Sequence, residues 1–402
     1  MDAVIQHLLS NPAVRSAREF IERNDAVTLA RQSELSAIPA PTGAEGARAA
    51  RVTAVMREIG LDAVTSDAAG NVRGWFGGPT PSPVIVSAHL DTVFGPEVTL
   101  DVARRGARLE GPGIADNARG LAALLVVAEA MVRASVALRR SVLFAATVGE
   151  EGAGNLRGVR HLFNGGATLK PHAFIALDGA GLQRVVHRAL GSRRYRATFR
   201  GPGGHSWAAF GVANPASAAG EAAAALADLP RPDNPRTTCA VVGLGGGTGL
   251  NSIPQAAWLD VDLRGEDATA LEKLDRLARA AIQAAAETEN RRRSPGSRAL
   301  EVEIQSLGDR PSGVTPRSHP LVQAAVAANR ALGWDAELVS ASTDANLPIS
   351  LGIPAIALGA GGRSGDAHLP TEWYENADGA AGVVRAMIVT LAMAELGARD
   401  KT

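Results

Sequence analysis

The sequence predicts an α/β protein, a mixed and largely parallel sheet flanked by helices, interrupted by an inserted ferredoxin-like α+β domain. Three observations carry that expectation. Apolar strand patterns alternate with helical ones over residues 1–190, the grammar of a parallel sheet. The order changes to β-α-β-β-α-β over residues 191–307, the order of a ferredoxin-like unit, and the alternation resumes over residues 308–402. At 402 residues the chain is also too long for one simple core.

Residues 12–36 place Val14, Phe20, Ile21, Val27, Leu29 and Leu35 among charges, an amphipathic helical pattern with breaks, ended by Pro39, Pro41 and Gly43. A second helix spans 45–60, with Val52, Val55, Met56 and Ile59 on one stripe and Gly60 as its stop. Short strands follow at 61–64 and 71–76, and the run 83–88 reads as a buried strand delivering His89-Leu90-Asp91. A weaker strand pair spans 98–109 and leads into Gly111-Pro112-Gly113-Ile114-Ala115-Asp116-Asn117, with a helix from 117 to 134. The apolar run 141–148 is a second buried strand and ends at Gly149-Glu150-Glu151-Gly152. A helix near 158–163 and the strand 173–177 deliver Asp178.

In the inserted stretch, strands are expected at 193–200, 237–244, 256–263 and 299–305, with helices at 214–226 and 268–287. After it come a helix at 319–332, strands near 337–339 and 354–358, and a final helix from 377 to 396. Formal net charge is zero, which gives a nucleic-acid or acidic-membrane partner no electrostatic support. Cys239 is the single cysteine and sits in an apolar run, so it reads as a small buried hydrophobe in a reducing compartment. No secretory pattern opens the chain and no apolar run reaches membrane-spanning length. The expected location is the cytoplasm.

Potential ligands leave the sheet at separate strand–loop junctions: His89 with Asp91, Glu150 with Glu151, Asp178, and His368 beyond the strand at 354–358, while Asp116 precedes a helix in a Gly-rich loop. A lone acid at a strand end is ordinary loop polarity. Loops at one edge of a sheet converge in space, however, and adjacent carboxylates repel unless a cation lies between them. Imidazole and carboxylate without thiolate suit Zn, Mn or Co better than a structural zinc site.

The segments Ser-Ala-His89-Leu-Asp91-Thr-Val, Gly-Pro-Gly-Ile-Ala-Asp116-Asn, Gly-Glu150-Glu151-Gly, Leu-Asp178-Gly and Asp-Ala-His368-Leu-Pro-Thr-Glu372 resemble, in order, the motifs of the co-catalytic metallopeptidase and deacylase family. That family includes glutamate carboxypeptidase, peptidase T, acetylornithine deacetylase, succinyl-diaminopimelate desuccinylase and aminoacylase. The resemblance covers nearly the whole chain. It implies a zinc-peptidase-like catalytic domain in two parts, 1–190 and 308–402, and a lid and dimerisation domain at 191–307. It further implies two divalent ions per chain, Zn first with Co or Mn admitted. His89 and Asp178 would hold one, Glu151 and His368 the other, and Asp116 both. Glu150 would be the general base and Asp91 would orient the His89 imidazole. The Asp116–Asn117 peptide is expected to be cis.

In the inserted domain, Gly201-Pro-Gly-Gly-His205-Ser resembles the family turn whose His donates to the developing oxyanion. Asn251 and Arg264 match its substrate-binding Asn and Arg, although Arg264 reads equally as an exposed strand-end charge. Ala118-Arg119 stands where the family commonly has a Lys, and Asp178 is the residue that accompanies amino- and dipeptidases in that family. The implied activity is cleavage of small peptides by a peptidase T-like amino-, tri- or dipeptidase, through a metal-bound hydroxide and a Glu base. An N-acyl-amino-acid deacylase or carboxypeptidase is the alternative, and a metal-free binding protein on the same fold the alternative from another class. The implied partners are the small substrate and a second copy of the chain, with no nucleic acid or membrane.

Overall fold

The computed structural model describes residues 1–164 and 169–397. The chain divides into two compact units, one made of residues 1–189 and 314–402 and the other of residues 190–313. In chain order the principal strands of the first part are β1 (Asp62–Ser66), β2 (Val72–Phe76), β3 (Val84–His89), β4 (Val142–Thr147), β5 (Ala173–Leu177) and β6 (Arg184–Ala189). The second unit supplies β7 (Gly191–Arg200), β8 (Thr237–Gly246), β9 (Ala256–Gly265) and β10 (Glu301–Arg310). The first unit resumes with β11 (Glu337–Ala341) and β12 (Ala355–Leu358).

The sheet of the first unit runs β1-β2-β4-β3-β5-β12-β6, with β11 paired to β6. The centre is parallel: β3 pairs β4 and β5, and β12 pairs β5, all in one direction. Strand chemistry explains why the centre is doubly covered. In β3, β4 and β5 every residue is buried, so both faces of the pleat need apolar cover. Alternation then sorts the side chains. Val84, Val86, Phe144 and Ile175 join the core beneath helices Ala118–Arg133 and Gly379–Ala394, while Ile85, Leu143 and Phe174 join a smaller core with Leu156 and Val159. Each such side chain contributes roughly 1.5–3 kcal/mol when fully buried.

Helix Ala118–Arg133 is buried along almost its whole length and is capped by Asn117, whose Oδ1 accepts from the Gly120 N–H at 3.1 Å. A separate four-stranded antiparallel sheet pairs Ala103–Arg105, Arg108–Glu110, Trp373–Glu375 and Arg363–Gly365, and His368 lies in the connection between the last two. The expected break in residues 12–36 is real: helices Pro12–Arg23 and Asp25–Ala37 meet at Asn24. Strand β6 is not among the strands expected from the sequence. Its apolar core is only Val185-Val186 between arginines and a histidine, too short to show a period.

In the second unit the sheet order is β8-β9-β7-β10, all antiparallel, with helices Pro215–Ala227 and Ala268–Arg292 packed on it. This is the ferredoxin-like order expected from the sequence. Cys239 is buried in β8, and burial pushes its thiol pKa up, as befits a packing residue. Among the described residues no helix is long and apolar enough to cross a membrane.

Candidate active site

The site is built at one end of the parallel strands. His89 is the last residue of β3; Glu150 and Glu151 follow β4; Asp178 follows β5. Gly149 makes the exit from β4 in a left-handed conformation (φ +62°), so that the next two carboxylates turn back over the strand end. The Asp116–Asn117 peptide is cis.

The ligand atoms of His89, Asp116 and Asp178 lie within 4.8 Å of one another, and so do those of Asp116, Glu151 and His368. Asp116 belongs to both sets. Its Oδ1 is 3.0 Å from His89 Nε2, and its Oδ2 is 3.3 Å from His368 Nε2. Asp116 Oδ1 is buried and accepts no hydrogen bond, although an imidazole nitrogen faces it. Imidazole nitrogens and carboxylate oxygens that converge this closely mark a place for a cation. A third set joins His89, Glu150 and Glu151. All the acids and imidazoles proposed from the sequence for this centre are therefore brought together.

Electrostatics point the same way. Burial, reinforced by the charges of Asp116, Glu151 and Asp344, pushes the Asp178 carboxyl up to about 7. Hydrogen bonds to Asp116 and Glu151 lift His368 to about 10. Burial alone would lower His89, yet Asp116 and Asp91 outweigh it and hold the imidazole well above its ordinary value. In the metal-free protein, protons thus compensate a charge cluster that divalent ions would compensate better. For Asp178 and His368 the folded pKa lies above the unfolded one. Their contribution to stability is therefore present at low pH and is lost as pH rises through about 4–10. Chelator-treated protein should melt at a lower temperature at pH 8 than at pH 5, and added Zn²⁺ should restore more stability at the higher pH. A melting temperature that rises with pH in the chelated protein would contradict this.

Asp91 does more than the sequence suggested. His89 Nδ1 lies 3.1 Å from the Asp91 carbonyl oxygen and 3.5 Å from Oδ1, which places the proton on Nδ1 and leaves the Nε2 lone pair for the centre. The same carboxylate accepts the backbone N–H of Glu150 and of Glu151, each at 2.9 Å, and the Thr42 hydroxyl at 2.9 Å. Burial would raise the pKa of Asp91, but His89 and these amides draw it down to about 2. Asp91 therefore pins the Glu150-Glu151 turn as well as the imidazole.

Other supports carried no sequence signal. Asn117 Nδ2 donates to the Leu177 carbonyl at 2.9 Å and its Oδ1 accepts the Gly179 N–H at 3.2 Å, tying the Asp116 loop to both neighbours of Asp178. Arg48 is fully buried and donates to the carbonyls of Leu90 and Ile38, both at 2.8 Å, fixing the backbone between His89 and Asp91. Arg119, at the departure from the family pattern, is also fully buried. It donates to the Ala360 carbonyl at 2.8 Å and the Gly379 carbonyl at 2.7 Å, and lies over the Tyr374 ring. Thr147 at the end of β4 donates to Asp344 Oδ2 at 2.5 Å.

The second unit holds His205, Asn251 and Arg264. His205 pairs with Ser252 across a two-residue ladder, and the Ser206 N–H donates to the Asn251 carbonyl at 2.9 Å, so His205 and Asn251 are neighbours. His205 is exposed, and its Nδ1 accepts the Trp207 N–H at 3.2 Å. That bond assigns the proton to Nε2, leaving it as a donor. Arg264 stands on β9 opposite Ser192 and Thr238 and is held by Asp262 Oδ2, at 3.0 Å from Nη2.

A model of peptidase family M20/M25/M40 matches residues 85–392. The aminopeptidase PepT of Bacillus cereus has a similar structure, with a TM-score of 0.72 at 20% identity over 92% of this chain and 98% of that one. A tripeptidase of Staphylococcus aureus gives 0.75 at 19% identity over 91% and 98%, and the dipeptidase Dug1p of Saccharomyces cerevisiae 0.73 at 15% over 95% and 98%. No curated protein matches the chain.

Proposed function

The chain belongs to peptidase family M20/M25/M40, and we propose that it cleaves small peptides as a peptidase T-like amino-, tri- or dipeptidase using two divalent ions. It is a metal-dependent amidohydrolase. The observation that carries the two-ion reading is Asp116, whose two oxygens face His89 and His368 separately. His89 and Asp178 would hold one ion and Glu151 and His368 the other, Zn first by ligand chemistry, with Co or Mn admitted. When bound, the ions polarise the scissile carbonyl and acidify the attacking water.

The chain's own residues do the rest. The Glu150 carboxylate takes the water's proton and delivers it to the leaving nitrogen, and Asp91 holds the base in place through its backbone. His205 Nε2–H donates to the developing oxyanion, a contribution of roughly 3–4 kcal/mol for one such donor. Asn251 and Arg264 bind substrate, and the Arg264 fork suits a carboxylate. Asp178, by its resemblance to the amino- and dipeptidase pattern, supports the peptidase reading over a deacylase or carboxypeptidase. So does the likeness in fold to the aminopeptidase PepT, the tripeptidase and the dipeptidase. An end-blocked peptide series tests it: blocking the amino end alone should abolish cleavage. Loss only on blocking the carboxyl end would assign the chain to the carboxypeptidase and deacylase side.

The working form is proposed to be a cytoplasmic homodimer through the second unit. Edge strand β8 carries no charged residue, and Val242 and Leu244 on it are exposed, whereas the opposite edge β10 carries Glu301, Glu303, Asp309 and Arg310. Charges guard an edge against pairing; an apolar edge invites it. Leu244→Arg should halve the mass measured by light scattering. A variant of unchanged mass would place the interface elsewhere.

A further inference from the structure

Glu372 lies four residues beyond His368 and is fully buried at the start of the strand Trp373–Glu375. Nothing about its spacing assigns it to an ion. Its carboxylate is occupied by backbone: Oε2 accepts the Gly113 N–H at 3.0 Å, and Oε1 accepts the Ala115 and Asp116 N–H groups, both at 2.8 Å. Those three amides belong to the loop that presents Asp116. A buried carboxylate satisfied by three amides of one loop fixes that loop's shape, because each amide would otherwise be a buried donor without a partner.

The arrangement parallels Asp91. Two residues after His89, Asp91 grips the turn carrying Glu150 and Glu151; four residues after His368, Glu372 grips the loop carrying Asp116. Each imidazole motif thus carries a carboxylate that holds the backbone of another ligand-bearing loop. We propose that Glu372 is a positioning residue of the metal centre, which sets the Asp116 loop in its ligating shape before any ion arrives and so couples the His368 side of the centre to the shared carboxylate. This rests on the two-ion reading above.

Glutamine at 372 keeps the volume but offers one acceptor oxygen and turns an NH₂ toward at least one of the three donors. In Glu372→Gln, Co²⁺ titrated into chelator-treated protein should bind about 10–100-fold more weakly, the loss typical of groups that orient metal ligands. Hydrogen exchange at Gly113, the donor that the NH₂ meets when the amide oxygen keeps Ala115 and Asp116, should accelerate. Exchange at Gly111, whose N–H donates to the Glu372 backbone carbonyl at 2.8 Å, should not, and that separates loss of the carboxylate from general loosening of the strand. Wild-type Co²⁺ affinity with unchanged exchange in the variant would overturn the inference. So would acceleration at all the amides including Gly111. If the variant does not fold, the chelated wild-type protein decides: protected Ala115 and Asp116 amides support a preformed loop, and protection that appears only with Co²⁺ refutes it. A wild-type protein that binds no Co²⁺ would sink the two-ion reading instead, while the exchange data would still judge the hold of Glu372 on its loop.

Discussion

Glu150→Gln should bind both ions and lose about 10²–10⁴-fold in kcat, with KM little changed. The reasoning begins with the turn. Glu150 and Glu151 are adjacent and buried, and both backbone amides are held by Asp91, so exchanging one carboxylate for an amide leaves the turn where it is. Glutamine matches the shape and hydrogen-bonding reach of glutamate but cannot accept and return a proton near neutral pH. Metal content is the deciding companion measurement, because the structure offers a rival. His89, Glu150 and Glu151 also form a ligand-competent set. If Glu150 were a ligand, the variant would lose metal along with activity. A fully metallated and inactive variant assigns the base to Glu150; a metallated and active one moves it elsewhere.

Asp116→Asn is expected to cost both ions and, with them, more than about 100-fold in activity, exceeding the loss typical of groups that only orient a ligand. Two divalent charges about 4 Å apart repel by about 16 kcal/mol even at an effective dielectric constant of about 20. A negative group facing both ions offsets that repulsion from both sides at once. Among the described residues, Asp116 joins the His89–Asp178 set to the Glu151–His368 set. The metal-free variant carries a separate expectation. Removing the Asp116 charge takes from His89 and His368 a partner that raises both imidazoles, so in the chelated variant both should titrate lower than in chelated wild type. Elemental analysis that still finds one ion per chain at wild-type affinity would show that Asp116 serves a single site.

The placement of the ligands was legible because strand ends are legible. Unbroken apolar runs ending in His89, in Glu150-Glu151 and in Asp178 already indicate which residues emerge from a buried sheet, and the structure has each at its strand end. Burial of charge was not legible. Nothing local marks Arg48 or Arg119 as buried, yet both are fully buried on backbone carbonyls, and those of Arg119 lie 241 and 260 residues away in sequence. Glu372 likewise finds its partners more than 250 residues distant. A backbone amide has no residue type, so no spacing in the sequence announces that a carboxylate is meant for it.

The α/β class, the ferredoxin-like insertion and the candidate acids and imidazoles are therefore legible before folding, because alternation, apolar runs and residue chemistry are local properties. Which oxygen of Asp116 faces which histidine, the hold of Asp91 on the Glu150-Glu151 amides and the hold of Glu372 on the Asp116 loop emerge only in the folded chain. Those are choices among hydrogen-bond partners at a buried site, and only the folded chain limits which partners are within reach.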